Sequence, residues 1–299
     1  MNILGSGICI PKNKILNNYF TEILKLDTSV EWIESKTGII SRHHVEKETL
    51  IEMATHAAKD AIDKSNIDSI DMIILATSTP DTSIPCMATF VAKNLGIKCP
   101  AFDINNACSS YIYALDIATK YLNDYKNILV IGADIATRVT NFKDRLTSIF
   151  FGDGAGAVVL TDSDKKKSSY IMANGNHEAI STINSGKLEM NGKSIWDFTH
   201  EVVPQTIYEL TRKAKLNLSD IDWIVPHQPN AKMLKSCFEH MGFPFEKVIV
   251  NVDKYGNTIS ASIPIALHEG MQKKIKRGDT IALVGWGAGL SWGGILLQY

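Results

Sequence analysis

The sequence predicts an α/β protein made of two similar halves packed face to face, with helices between and outside two mixed sheets. Continuous apolar runs of strand length, such as Met72-Ile73-Ile74-Leu75-Ala76-Thr77 and Ile128 to Asp134, have the pattern of strands covered on both faces. They alternate with longer stretches whose apolar residues recur at helical spacing. Each half then finishes on a glycine-rich turn and a strand, Phe151 to Leu160 and Gly285 to Tyr299, so the chain reads as an internal duplication. The halves are expected at 1–162 and 163–299. A chain of 299 residues, 45% hydrophobic and 21% charged, is ordinary for a soluble protein and long enough for two fused cores.

Ile3 to Ile10 is a short strand broken by Gly5 and Gly7 and stopped by Pro11. A polar helical segment follows around Asn17 to Leu26, and Asp27 or Thr28 is placed to cap a short helix carrying Trp32. Thr37-Gly38-Ile39 closes that helix in a turn. From Thr49 to Ser65, Ile51, Ala54, Ala57, Ala58, Ala61 and Ile62 share one helical face. After the strand at Met72, a loop from Ser78 to Pro85 leads to a helix ending at Leu95. Pro100 to Ile104 is a buried strand, and Asn105-Asn106-Ala107-Cys108-Ser109-Ser110 is a polar turn opening a long apolar helix, with Cys108 at its start.

The second half repeats the scheme. Tyr170 to Ala173 is a strand, Phe198 to Leu216 a helix, and Trp223 to Pro226 a buried strand ending at His227. Asn230 to Met241 is a helix, Val248 to Val252 a strand, Ser260 to Lys274 a helix and Thr280 to Val284 a strand. Right-handed βαβ units put the carboxyl ends of such strands on one rim of each sheet. Cys108 follows one such end in the first half; His227 and the segment around Asn257 follow two in the second. A pseudo-twofold packing of the halves brings these three into one cleft.

A formal net charge of −1 gives no reason to expect nucleic acid or a membrane surface as partner. The one basic run, Lys165-Lys166-Lys167, reads as a solvated loop. No apolar run reaches the length of a membrane span, and Met1-Asn2-Ile3-Leu4-Gly5 lacks a signal-peptide layout, so a cytoplasmic protein is expected. Five cysteines, Cys9, Cys86, Cys99, Cys108 and Cys237, form no C-x-x-C pair and suit neither a disulfide framework nor a zinc site. Any special cysteine here is special by reactivity.

Cys108 has two readings. Unpaired N–H groups and the positive end of a helix dipole lower a thiol's pKa, whereas free cysteine is also among the most buried residue types. His227 alone reads as a surface or capping residue, and Asn257, in Lys254-Tyr255-Gly256-Asn257-Thr258, as a turn former. Gly152 to Gly156 precedes a strand and lacks a P-loop lysine, which favours a close approach of two backbones over a phosphate cradle. Taken together, a thiol at a helix start, a histidine and an amide at strand ends, and a glycine-rich loop suit acyl-thioester chemistry through an acyl-enzyme.

Asp27 to Gly38 (DTSVEWIESKTG), Asn106 to Leu115 (NACSSYIYAL), Phe151 to Leu160 (FGDGAGAVVL), Val225 to Asn230 (VPHQPN), Tyr255 to Ser262 (YGNTISAS) and Gly285 to Gly293 (GWGAGLSWG) resemble, in this order, the 3-oxoacyl-acyl-carrier-protein synthase III family of the thiolase-like superfamily. The resemblance runs from about Ile3 to Tyr299. It implies a five-layered αβαβα sandwich and a cytoplasmic homodimer that needs no cofactor. Acyl-coenzyme A is the implied partner, with acyl carrier protein as a further candidate and neither nucleic acid nor membrane. It further implies Cys108 as nucleophile, His227 and Asn257 as aids to decarboxylation and condensation, and the backbone N–H groups of Cys108 and Ala288 as oxyanion donors. Trp32 and Arg145 match residues that flank the adenine of coenzyme A. Lys36, Thr37, Asn230 and Lys232 match positions along the coenzyme A and pantetheine path. Ile84 stands where an aromatic often reaches into the partner subunit's acyl pocket.

Departures from the family pattern bear on substrate. The segment between Leu160 and Trp196 is shorter than in typical members, which predicts a wider entrance. Glu239-His240 stands where a basic pair docks carrier protein, and Asn105, Asn106, Ser109 and Ser110 make the cysteine's surroundings more polar than usual. Three readings follow: a decarboxylating condensing enzyme using a malonyl thioester, an acyltransferase serving a hydroxyl or amine acceptor, and a non-catalytic scaffold subunit.

Overall fold

The computed structural model describes residues 1–163, 166–175, 179–181 and 186–299. The first half contains strands β1 (Asn2–Cys9), β4 (Met72–Ala76), β5 (Ala101–Ile104), β6 (Asn127–Ile135) and β7 (Asp153–Thr161), joined in the order β1-β7-β6-β4-β5. A small ribbon, β2 (Lys14–Leu16) with β3 (Ser41–His43), lies outside this sheet. The second half contains β8 (Lys166–Ala173), β11 (Trp223–Pro226), β12 (Thr280–Gly287) and β13 (Ser291–Gln298), in the order β11-β12-β13-β8. A hairpin of β9 (Ile180–Ser181) and β10 (Glu189–Met190) precedes the long helix of that half.

The two sheets have the same plan. β7 lies between β1 and β6, antiparallel to both, and β13 lies likewise between β8 and β12. β4 pairs parallel with β6, and β11 with β12. The counterpart of β5 is reduced to one parallel bridge, Ile224 to Val248, where the sequence predicted a full strand over Val248 to Val252. Gln228 accounts for the difference: its amide donates to the Pro226 and Ile249 carbonyls and its oxygen takes the Asn251 N–H. The ladder's bonds pass to a side chain, and Val252 begins a short helix instead.

Helices fill the layers. α2 (Leu50–Asp63) and α3 (Met87–Leu95) cover the outer face of the first sheet, with Ala54, Ala57, Ala58, Ala61, Ala88 and Val91 against Ile73, Leu75, Leu129 and Ile131. α4 (Ser110–Tyr121) and α9 (Ser262–Lys273) lie between the sheets, where Ile74, Ile128 and Val130 of one and Val225, Leu283 and Ile295 of the other meet Tyr111, Leu115, Ile263 and Leu267. α6 (Gly192–Ala214) and α7 (Ala231–His240) cover the far face of the second sheet. The result is the αβαβα sandwich, with alternate residues of each buried strand facing different helix layers. Each fully buried Ile, Leu or Val contributes about 1.5–3 kcal/mol. Among the described residues no helix is long and apolar enough to cross a membrane.

Several local expectations shift. The segment around Asn17 to Leu26 forms one π-helical turn, Tyr19–Ile23. The helix carrying Trp32, α1 (Val30–Thr37), is capped by Ser29, whose hydroxyl accepts the Trp32 N–H, not by Asp27 or Thr28. Gly38 ends it at φ 70. Lys165 lies outside the described residues, and Lys166 and Lys167 open β8. Gly152 does mark a close approach: a Cβ there would stand 2.1 Å from the Tyr255 carbonyl of the other half.

Burial holds His227 near a pKa of about 3 and His44 near about 4, the latter also opposed by the Arg42 and His43 charges. Both lie below the ordinary value of 6.5, so the unfolded chain binds more protons than the folded one as pH falls below that value. Stability should therefore be full above pH 6.5 and decline as pH falls toward 3. His44→Gln should flatten that decline in urea unfolding midpoints measured across the window.

Candidate active site

The carboxyl ends of β5 and of its reduced counterpart lead into matching turns. Ala107–Ser109 and Ile259–Ala261 are both single 3-10 turns, each followed by a central helix beginning with serine, Ser110 or Ser262. Their first residues hold φ values of 49 and 48, a left-handed conformation that costs a non-glycine residue about 1–3 kcal/mol, more so for β-branched isoleucine. Asparagine side chains brace both: Asn105 Oδ1 accepts the Ala107 N–H at 3.2 Å, and Asn257 Oδ1 accepts the Ile259 N–H at 2.9 Å. With its oxygen engaged, Asn257 keeps its amide NH₂ as a donor.

Cys108 sits inside the first 3-10 turn, so α4 itself starts two residues later than expected. The thiol is 6% exposed. Burial pushes it up to about 12, with Asp134 adding to the rise and the cysteine's own N–H working against it. The expected lowering by a helix start is overturned: desolvation of the thiolate outweighs the helix end. Gly287 lies against the thiol, where a Cβ would come within 2.7 Å of the Cys108 Cβ.

His227 continues β11 through its N–H to the Val284 carbonyl at 2.7 Å. Its Nδ1 is 2.6 Å from Ser262 Oγ, and its ring stands edge-on to Trp286 at 5.5 Å and 84°. Trp286 is fixed in turn by its Nε1–H donating to Thr199 Oγ1 at 2.8 Å. Desolvation keeps the buried imidazole neutral at ordinary pH.

Cys108, His227 and Asn257 meet in one cavity of about 370 Å³, whose mouth carries Trp32, Lys36 and Trp196. Its walls are largely apolar, with Ile149, Phe150, Phe151, Phe198, Met233 and Leu290. Ile180, Met190, Gly192 and Ile195, from the segment expected to leave the entrance wide, line it as well. Other positions separate. Asn230 borders the cavity, but its side chain caps α7 by accepting the Lys232 and Met233 N–H groups and reaches the Lys36 carbonyl. The Arg145 guanidinium stands over Trp32 at 5.1 Å. Lys232 is exposed and Ile84 is 86% exposed, both away from the cavity wall. Thr37 is the clear correction: it is fully buried, and its hydroxyl serves the Ile33 carbonyl and the Ile39 N–H, so it does not reach the cavity. Ala288 has no left-handed φ; that conformation falls on Gly289 at 139, so an alanine fits.

The polar shell around Cys108 is structural. Ser109 Oγ bonds the Asn106 carbonyl and Ser291 Oγ, each at 2.8 Å, and Ser110 Oγ donates to the Ala107 carbonyl. Sequence reasoning missed Ser262, Trp286 and Asp134. The likeness of NNACSS to NTISAS, with asparagine and the last serine in register, was the signal available for Ser262.

A duplicated five-layer sandwich that sends strand ends from both halves into a shared apolar cavity is thiolase-like, and its buried thiol marks an acyl-transferring class. The β-ketoacyl-[acyl-carrier-protein] synthase III of Aquifex aeolicus is 41% identical over 307 residues, covering 99% of both chains, and that of Wolbachia pipientis wMel is 41% identical over 316, covering 99% and 98%. The chain belongs to the 3-oxoacyl-[acyl-carrier-protein] synthase III family and is a condensing enzyme. The family's own pattern matches residues 102–176, and that of its C-terminal part residues 211–299. The Aquifex aeolicus crystal structure superposes with a TM-score of 0.97 over 99% of each chain. The priming β-ketosynthase of the R1128 polyketide pathway, 29% identical, does so at 0.93 over 99% of this chain and 95% of its own.

Asp134, at the end of β6, is completely buried and takes donors from both halves: Thr77, Ser78 and Thr79 on one side, the Ser260 N–H and hydroxyl on the other. Asp134→Asn puts an NH₂ against these donors and should cost about 2–4 kcal/mol in urea unfolding. The same change removes a negative charge that raises the Cys108 thiol, so thiolate absorbance should appear at lower pH than in the parent.

Proposed function

We propose that Cys108 accepts an acyl group from acyl-coenzyme A and passes it to the carbanion of a decarboxylating malonyl thioester, giving a 3-oxoacyl thioester. The convergence of Cys108, His227 and Asn257 in one apolar cavity carries this reading. In the first half-reaction the Cys108 sulfur adds to the thioester carbonyl, and the N–H groups of Cys108 and Ala288 hold the oxyanion. Collapse expels coenzyme A, whose sulfur leaves with the proton that Cys108 gave up. In the second, His227 and the Asn257 amide donate to the malonyl thioester carbonyl oxygen. The bond to the carboxylate breaks, carbon dioxide leaves, and its electron pair forms the enolate. The enolate carbon attacks the acyl carbonyl, and the Cys108 thiolate departs and takes up a proton.

Malonyl-acyl carrier protein is the proposed second substrate, in keeping with the relatives' printed names. Trp32, Lys36 and Arg145 are the residues proposed to meet the adenine and phosphates of coenzyme A, with Asn230 along the pantetheine arm and Lys232 outside the mouth. No further cofactor is needed for this chemistry. A cytoplasmic homodimer is proposed, supported by the exposed apolar Ile84 in the loop before α3. The polar shell that suggested a hydroxyl or amine acceptor is occupied by the turn it braces, which favours condensation.

Intact mass after incubation with acetyl-coenzyme A should show one acyl group on the parent and none on Cys108→Ala; an adduct surviving in that variant would remove the nucleophile assignment. Asn257→Ala should acylate normally yet release carbon dioxide from malonyl thioester about 10²–10³-fold more slowly. Trp32→Ala should raise KM for acyl-coenzyme A roughly tenfold, the effect of one lost base-stacking partner, and leave kcat unchanged.

A further inference from the structure

We propose that Ser262 is a positioning residue whose hydroxyl donates to His227 Nδ1 and so fixes the ring proton on Nε2, the nitrogen left to face substrate. The inference rests on the condensation chemistry above and names what prepares His227 for it.

Ser262 is 2% exposed and opens α9. Its Oγ lies between two groups, His227 Nδ1 at 2.6 Å and the Ile259 carbonyl at 2.9 Å. A hydroxyl has one proton, so it can donate to only one of them. O–H donors make shorter bonds than N–H donors, and a buried contact of 2.6 Å fits O–H donation to Nδ1 better than N–H donation from it. The Ile259 carbonyl does not lose by this choice, because it also accepts the Ser262 N–H that closes the 3-10 turn. Turning the hydroxyl toward the imidazole therefore leaves no buried group without a partner.

The first half supplies an internal comparison. Ser110 occupies the matching place, with its Oγ at 2.6 Å from the Ala107 carbonyl and 2.6 Å from the Asn106 N–H. There the neighbour is an amide that can only donate, so the Ser110 proton is locked onto the carbonyl. In the second half the amide's place is taken by an imidazole nitrogen, which can accept. The duplicated turn thus contains one serine with a fixed proton and one whose proton is free to define a histidine tautomer.

Among the described residues no hydrogen bond engages His227 Nε2, and His227 lines the cavity. With Nδ1 accepting, Nε2–H becomes a donor beside the Asn257 amide, whose oxygen is already taken by the Ile259 N–H. Ile259 thus serves both: its N–H orients the asparagine, and its carbonyl, by accepting the Ser262 N–H, holds the serine that orients the histidine. The opposite tautomer would aim a lone pair at the developing enolate oxygen and oppose the charge it must stabilise.

The test separates tautomer from turnover. In protein carrying ¹⁵N-labelled histidine, with the His227 signals assigned by their loss in His227→Asn, Nε2 should carry the proton in the parent. Ser262→Ala should leave acylation by acetyl-coenzyme A within about threefold and slow decarboxylation of malonyl thioester about 10²-fold. It should also shift the ¹⁵N pattern away from the Nε2–H form, and Ser262→Thr should restore both rate and pattern. A parent ring protonated on Nδ1 would overturn the proposal, as would a Ser262→Ala variant that loses both half-reactions equally or neither. The parent tautomer is read without turnover, so failure of the parent to condense would count against the proposed function alone.

Discussion

The hydrogen bonds that converge on Asp134 are the constraint on which the rest of the site depends. A carboxylate buried at the junction of the halves is costly unless its lone pairs are filled, and here the loop after β4 and the turn before α9 fill them together. Ser260 gives both its N–H and its hydroxyl, so the turn containing Ile259 cannot relax toward ordinary backbone geometry without breaking two bonds to a charge. The positive φ of Ile259 is thereby maintained. That conformation aims the Ile259 N–H at Asn257 and its carbonyl at the Ser262 N–H, so the two peptide units flanking one residue set both polar groups of the second half.

Duplication explains why such a device exists twice and why the copies differ. Both halves leave a parallel pairing, a strand in the first and a single bridge in the second, brace a left-handed residue with an asparagine, make one 3-10 turn and start a central helix at a serine. In the first copy the second residue of the turn is Cys108; in the second it is Ser260, which is spent on Asp134. One copy therefore carries the proposed nucleophile with a structural asparagine before it, and the other carries a structural serine with the asparagine proposed to act on substrate before it. The two copies touch at the centre of the sandwich, where Cys108 and Ile259 share a small apolar cluster with Ala136 and Phe151.

Much of this was legible in the sequence, for identifiable reasons. Runs such as Met72 to Ala76 declare strands buried on both faces, and the paired glycine turns before β7 and β13 declare the duplication. Cys108, His227 and Asn257 could be placed together because strand ends in βαβ units share one rim. Thr37, by contrast, was assigned to the coenzyme path by likeness alone, and the structure spends its hydroxyl inside the C-terminal turn of α1. The missing strand at Val248 was hidden because its apolar pattern is that of a strand; only the reach of Gln228, a side chain with no periodic signal, diverts the backbone bonds. The choice between the two readings of Cys108 needed the structure, because a helix start is visible in sequence and the extent of burial is not.

The site also owes its electrostatic character to that burial. A thiol held up to about 12 and a histidine held down to about 3 are both neutral at ordinary pH, so the cavity floor carries no charge of its own beside the apolar walls. In such surroundings a fixed N–H or NH₂ donor acts on a developing oxyanion with little screening, and it needs no reorganisation to do so. A permanently ionised thiolate or imidazolium there would be solvated poorly and would draw water inward. In the proposed reaction, charge appears only transiently, on a substrate oxygen or the departing sulfur. Asp134, the charge that acts on the thiol, is enclosed by its own hydrogen bonds and works against the thiolate, so the fold accepts a less acidic Cys108 in return for a rigid Asn257 and His227.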